Sequence, residues 1–222
     1  MRGTRRAGGA DAGITRHNQE RGRQVARTVV IAEDEAVVRL DLCEILAEEG
    51  FEVVGSTGRG DEAVELVRKL HPDLVILDIK MPGMDGLQAA AEIHSSVRTA
   101  VVILTAFSER NFIERARDAG AQAYLVKPFQ REELLPAIEV ALGRFAEAQA
   151  LEAEFATLGD DEIGQAQRRE TRLAVDRAKG LLMDDHAMTE PEAFAFIEKA
   201  AQERGQTIRG TAQAVAEGSL AP

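Results

Sequence analysis

The chain has 222 residues, 45% of them apolar, and a formal net charge of −11 at neutral pH. That is enough for one or two domains with real cores, and the single Cys43 excludes an internal disulfide and fits a reducing compartment. No apolar run approaches the ~18 residues needed to cross a bilayer and no apolar signal segment opens the chain, so a cytoplasmic protein with no membrane association is expected.

The charge is unevenly spread. Residues 1–27 carry seven Arg against Asp11 and Glu20, are rich in Gly and show no periodicity. They read as a disordered basic tail rather than an RNA-touching arm. Residues 28–142 carry 11 basic and 21 acidic groups, residues 143–164 one and six, and residues 165–222 eight and nine. The chain as a whole is therefore no polybasic nucleic-acid binder, and any such surface must be local.

Short apolar runs then alternate with amphipathic stretches. The runs at 28–32, 51–55, 74–78, 100–105 and 123–126 are rich in Val, Ile or Leu. They predict strands buried on both faces. Between the first two, Val37, Val38, Leu42, Ile45 and Leu46 share one helical face; Ala63, Leu66, Val67 and Leu70 do so in the next helix. Further helices are predicted near 86–95 and 109–119, and a fifth begins after Gln130, with Glu132 and Glu133 in its first turn. Five such units predict a parallel sheet with helices on both faces.

That fifth helix runs on past the domain. Leu142, Phe145, Ala148, Leu151 and Phe155 recur at helical spacing, forming an apolar stripe for a partner or, alternatively, for packing back on its own domain. Residues 159–164, with Gly at both ends and three acids between, should break it. Three more helices are predicted at roughly 165–184, 190–203 and 207–217; Thr189-Glu190-Pro191-Glu192 is an N-cap with Pro and acids in the first turn.

The chemistry gathers at predicted strand ends. Glu33 and Asp34 follow the first strand, Asp78 ends the third, Thr105 the fourth, and Lys127 follows the fifth. Functional groups of an open parallel sheet collect at this carboxyl edge. Three carboxylates together need a cation, and an all-oxygen set suits hydrated Mg²⁺ better than zinc. Asp78 can then act as a nucleophile towards phosphorus, with Lys127 and the cation neutralising oxyanion charge and Thr105 donating to a phosphoryl oxygen.

These residues resemble the CheY-like receiver domain of bacterial response regulators. The carriers are Val29-Val30-Ile31-Ala32-Glu33-Asp34-Glu35, Leu74-Val75-Ile76-Leu77-Asp78-Ile79-Lys80-Met81-Pro82, Leu104-Thr105-Ala106 and Ala123-Tyr124-Leu125-Val126-Lys127-Pro128-Phe129, over about 28–142. The resemblance implies a doubly wound five-stranded parallel sheet of flavodoxin-like order. It implies that Asp78 takes phosphate from a sensor histidine kinase, and that Asp34, Asp78, the Lys80 carbonyl and, through water, Glu33 hold Mg²⁺. Thr105 and Tyr124 would form a switch pair, and Lys127-Pro128 a cis peptide. A loose dinucleotide fingerprint at Gly58-Arg59-Gly60-Asp61-Glu62-Ala63 leaves all of this unexplained and is set aside.

Residues 165–222 contain no acid–base constellation, no metal motif and no nucleophile elbow, so no enzymatic output is expected beyond Mg²⁺-dependent self-phosphorylation and dephosphorylation of Asp78. Asp176-Arg177-Ala178-Lys179-Gly180-Leu181-Leu182-Met183, followed by Met188-Thr189-Glu190-Pro191-Glu192-Ala193-Phe194, is similar to the ANTAR domain of transcription antiterminators. The order of the two resemblances is that of the actinobacterial phosphorylation-dependent antiterminator regulators. It implies three short helices that bind RNA hairpin loops in nascent transcripts, and homodimers when phosphorylated. Arg168, Arg172, Arg177, Lys179 and Arg204 are the candidate RNA contacts; Arg172 and Lys179, seven apart, fall on one helical face. Alternatives are a helical dimerisation or protein-docking unit without RNA binding, and a DNA-binding regulator. The last two helices are poor in basic residues for a DNA recognition helix. The expected division is a tail (1–27), a receiver (28–142), a helical or coiled-coil linker (143–164) and an RNA-binding module (165–222).

Overall fold

The computed structural model describes residues 26–106, 110–159 and 161–222, with side chains of 110–112 left aside. The basic-tail expectation therefore lies, but for its last two residues, outside the described residues. The elements are β1 (Thr28–Ala32), α1 (Ala36–Glu48), β2 (Glu52–Thr57), α2 (Gly60–Leu70), β3 (Leu74–Asp78), α3 (Gly86–Ser96), β4 (Ala100–Thr105), α4 (Arg110–Asp118), β5 (Ala123–Val126), α5 (Arg131–Phe155), α6 (Glu162–His186), α7 (Glu190–Arg204) and α8 (Ile208–Ala216).

The five strands form one parallel sheet in the order β2-β1-β3-β4-β5. Successive side chains of a strand point to opposite faces, so each central strand feeds two cores. Val30, Ala32, Val75, Leu77, Val101 and Ile103 pack against α2, α3 and α4. Val29, Ile31, Leu74, Ile76, Val102 and Leu104 pack against Leu42 and Leu46 of α1 and Leu134, Ile138 and Ala141 of α5. β1, β3 and β4 are almost wholly buried. The edge strands β2 and β5 are only partly covered, which departs from the expectation of two buried faces for all five. β2 also starts one residue later and runs to Thr57, because Gly55, Ser56 and Thr57 pair with Val30, Ile31 and Ala32. In α1 the buried face is Leu42 and Leu46 with Val38, Cys43 and Ile45 beside them, whereas Val37 is exposed.

The C-terminal half has its own core. Val175, Ala178 and Leu182 of α6, Ala193, Phe194 and Ile197 of α7, and Ile208, Ala212 and Val215 of α8 close around Leu151 and Phe155 of α5. The stripe predicted to be free for a partner is thus used within the chain: Leu142 and Phe145 face the sheet, Leu151 and Phe155 the helical core. The 25-residue α5, at whose start the Glu133 side chain accepts from Gln130 N at 2.9 Å, belongs to both halves rather than linking them. Its crossing with α7 is close, since a Cβ on Gly143 would stand 2.6 Å from Pro191 Cβ. The break lies where expected: Asp161 accepts from Gly164 N at 2.9 Å to start α6. Thr189 and Thr207 cap α7 and α8. No helix among the described residues is long and apolar enough to cross a membrane.

Candidate functional site

The carboxyl ends of β1 and β3, with the segment after β5, bring four charged side chains together. Glu33 and Asp34 follow β1, Asp78 is the last residue of β3, and one carboxylate oxygen from each lies within 4.8 Å of the others. Lys127 reaches across from the segment after β5, its Nζ 2.5 Å from Glu33 Oε2 and 2.8 Å from Asp78 Oδ1. The Lys127-Pro128 peptide is cis. Lys127 N also donates to the Thr105 carbonyl at 2.7 Å, tying the end of β5 to the end of β4.

Further contacts orient these groups. Lys80 N donates to Asp78 Oδ2 at 2.9 Å and Glu35 N to Glu33 Oε1 at 3.2 Å. Arg39 Nη1 donates to the Glu33 carbonyl at 2.5 Å. Glu33, Asp78 and Thr105 are buried and Asp34 is exposed, so the cluster opens to solvent on the Asp34 side.

Burial pushes the Glu33 carboxyl up, with the Asp78 charge adding to it and Lys127 opposing. Asp78 is likewise pushed up by burial, against Lys127 and the Lys80 amide. Burial works against the Lys127 ammonium, but Asp78 and Glu33 hold it above the ordinary lysine range. Three carboxylates against one ammonium leave an excess of negative charge. Glu33 Oε2 is buried with no hydrogen-bond partner beyond this ion pair. Such a set of oxygen donors fits a hard divalent cation.

The turn after β3 contributes a residue absent from the sequence-based set. Gly86 N donates to the Ile79 carbonyl at 2.9 Å, and a Cβ there would lie 1.9 Å from the Asp78 carbonyl oxygen. Only glycine lets the start of α3 fold against the strand end that carries Asp78. The run Met81-Pro82-Gly83-Met84-Asp85-Gly86 marks a turn, yet not which glycine touches the site. Gly86→Ala is expected to cost about 1–3 kcal/mol, as for overpacking, and to displace Asp78. Urea denaturation would read the first effect and the rate of phosphoryl uptake the second.

Tyr124 is 42% exposed on edge strand β5, so it is not a core aromatic. It lines an open apolar groove with Ile113, Ala116, Pro136, Ala137 and Val140.

The five residues predicted to touch RNA are not brought into one patch. Arg172 and Lys179 do share a face, but that face is turned to α5. The Arg172 guanidinium stands 5.6 Å over the Phe155 ring. Lys179, its side chain 8% exposed, meets both Glu147 oxygens at 2.9 Å and Glu190 Oε1 at 3.2 Å. As placed, Lys179 is an internal cation and not a surface for RNA, which corrects that expectation. The spacing gave its helical face but not what covers it, because Glu147 lies 32 residues upstream. Arg168 donates to the Leu158 carbonyl at 3.2 Å, whereas Arg177 and Arg204 are exposed.

The doubly wound sheet with an acid cluster and a lysine at its carboxyl edge defines a response-regulator receiver. Residues 29–139 match the response regulator receiver domain family and residues 165–215 the ANTAR domain family. The chain is 55% identical over 193 residues to the transcriptional regulatory protein PdtaR of Mycobacterium tuberculosis, spanning 87% of this chain and 91% of that one. It is 37% identical over 119 residues to the chemotaxis protein CheY of Bacillus subtilis, across 53% of this chain and 99% of CheY. A crystal structure of a DNA-binding response regulator of the LuxR family from Staphylococcus aureus superposes with a TM-score of 0.50 at 34% identity, over 52% of this chain and 98% of that one. The chain therefore belongs to the response regulators that join a receiver domain to a C-terminal ANTAR domain.

Proposed function

We propose that this response regulator is phosphorylated on Asp78 by a sensor histidine kinase in the cytoplasm and acts, through its ANTAR domain, as an RNA-binding transcription antiterminator. The observation that carries the reading is the cluster of Glu33, Asp34, Asp78 and Lys127 at one sheet edge in a chain that ends in an ANTAR domain. A carboxylate oxygen of Asp78 forms the new bond to phosphorus while the bond to the kinase imidazole breaks, and the imidazole takes up a proton. Lys127 balances charge on the transferred group, and the Thr105 hydroxyl donates to a phosphoryl oxygen. Glu33, Asp34, Asp78 and the Lys80 carbonyl would hold Mg²⁺, which when bound supplies charge neutralisation at the phosphoryl oxygens.

Because the ionised Asp78 carboxylate loses its own charge as the acyl phosphate forms, the transfer changes local charge by about one unit and adds strong acceptor oxygens. Thr105 then moves towards the phosphoryl group and Tyr124 follows, remodelling the open groove along β5 and α5. That groove, with Ile113, Tyr124, Pro136 and Val140 on its walls, is where a phosphorylated homodimer would form. The working division is the receiver at 28–142, the α5 extension and turn at 143–164 and the RNA-binding module at 165–222, with 1–27 as a basic tail. Of the residues expected to touch RNA, the exposed Arg177 and Arg204 remain candidates, hairpin loops in nascent transcripts the target.

An electrophoretic shift with a leader RNA carrying two hairpins, run with and without acetyl phosphate, tests the reading. Binding that strengthens with acetyl phosphate and weakens with salt supports it. Saturating association with generic duplex DNA and none with hairpin RNA would reverse it.

A further inference from the structure

We infer that the outward face of α6, formed by Arg169, Leu173, Arg177 and Gly180, is the surface on which the ANTAR domain receives RNA, in place of the face that carries Lys179. The inference rests on the RNA reading and names its site.

The four residues are spaced i, i+4, i+8 and i+11 and so lie on one side of a straight helix, opposite buried Val175, Ala178 and Leu182. Arg169 and Arg177 are exposed, and among the described residues their guanidinium groups form no ion pair or hydrogen bond. Lys179, Arg209 and Lys199 are paired with Glu147, Glu170 and Glu203, and Arg172 stands over Phe155, while Arg204 is exposed but belongs to α7, away from this face. Between the two free guanidinium groups Leu173 is 63% exposed, a large apolar side chain with no partner in its own core. Arg177 and Leu173 also line a groove against Gln213 and Ala216 of α8 and Glu217 just after it.

Gly180 is the independent observation. A glycine inside a helix costs about 1 kcal/mol relative to alanine. Here nothing internal requires it: its φ is not positive, and an added Cβ would meet no atom within 4 Å. Gly86 and Gly143, by contrast, each sit against a neighbour that a Cβ would strike. A bare backbone on the solvent side is suited to a partner that must approach closely from outside. Phosphates on the two guanidinium groups, an unstacked base against Leu173 and sugar–phosphate over Gly180 account for all four residues. A second copy of the helix accounts for them poorly, since one leucine in three turns makes no apolar seam and the arginines of a two-fold pair would oppose each other.

The test begins with a pool of RNAs, each with two hairpins of randomised loop sequence, selected on the full chain in Mg²⁺ and acetyl phosphate. The selected RNA is then titrated against Arg169→Ala, Arg177→Ala, Gly180→Ala and, as a control on α7, Lys199→Ala. The first three should each weaken binding by about tenfold, as for lost phosphate or close backbone contacts. Each arginine variant should also lower the slope of log affinity against log salt by about 0.7. Gly180→Ala should weaken binding while leaving the melting temperature unchanged or raised, a combination a purely structural glycine does not give. Wild-type affinity and slope in all three variants would place RNA elsewhere and overturn the face. A pool from which the wild type selects nothing would overturn the RNA reading and this inference with it.

Discussion

Asp78→Asn is expected to abolish phosphoryl incorporation from acetyl phosphate while leaving the fold intact. The substitution keeps the shape of a side chain packed at the end of β3 and removes the anionic nucleophile. It also leaves Lys127 facing Glu33 alone, a buried carboxylate 2.5 Å away, so the ammonium keeps a partner and the sheet edge should hold. Since acceptor chemistry requires the carboxylate, the loss should be complete rather than graded. Mass spectrometry of the intact chain after acetyl phosphate treatment reads the result, with circular dichroism as the fold control. A phosphate adduct on the Asn variant at the wild-type level, mapped to the receiver, would remove Asp78 from its role.

Glu147→Ala should destabilise the helical half strongly. The Lys179 ammonium is buried between α5, α6 and α7, with Glu147 on both of its near contacts and Glu190, itself more exposed, at 3.2 Å. Removing Glu147 leaves the cation with Glu190 at 3.2 Å and Asp176 at 3.5 Å, both more exposed, and should cost about 1.5–3 kcal/mol, as for a lost hydrogen bond to a charged group. The double variant Glu147→Leu with Lys179→Met should recover most of that loss, because an apolar pair of similar volume needs no desolvation. Burial alone would lower the Lys179 pKa, but Glu147 and Glu190 hold it above the ordinary lysine value. A group raised on folding stabilises fully below its unfolded pKa and loses that contribution as pH climbs through the folded one. The wild type should therefore lose stability in the alkaline range, and the Leu/Met pair should flatten that dependence. Guanidinium melts of the three proteins across pH would check both statements; equal stability of Glu147→Ala and wild type would mean the pair is idle.

The sheet was legible because its signal is local. Three centrally placed runs of Val, Ile and Leu match β1, β3 and β4 residue for residue. The acid cluster was legible because each member sits at a fixed offset from one of those runs. What stayed hidden depends on distant neighbours. Val37 and Val38 are equally apolar, and only the approach of the sheet decides that Val38 turns inward and Val37 outward. β2 ends in Gly55-Ser56-Thr57, which opens with two residues that do not favour a strand and extends because β1 pairs with it. Periodicity found the stripe on α5 but could not say that one end would be claimed by the sheet and the other by α6 to α8. Lys179 looked like a surface cation for the same reason, since spacing within α6 carries no information about Glu147.

The undivided α5 sets a geometric condition on how these proteins can vary. Phe145 meets the sheet side and Leu151 the helical core, six residues apart on one rod. Each residue of an α-helix advances about 1.5 Å and turns about 100°. A one-residue insertion between them would swing the entire C-terminal lobe about a quarter-turn out of phase, with Leu151 and Phe155 turning along with it, and would break the close crossing of Gly143 and Pro191. Changes of length in this stretch are tolerable only near whole numbers of turns, so the lobe is geared to the sheet rather than tethered to it.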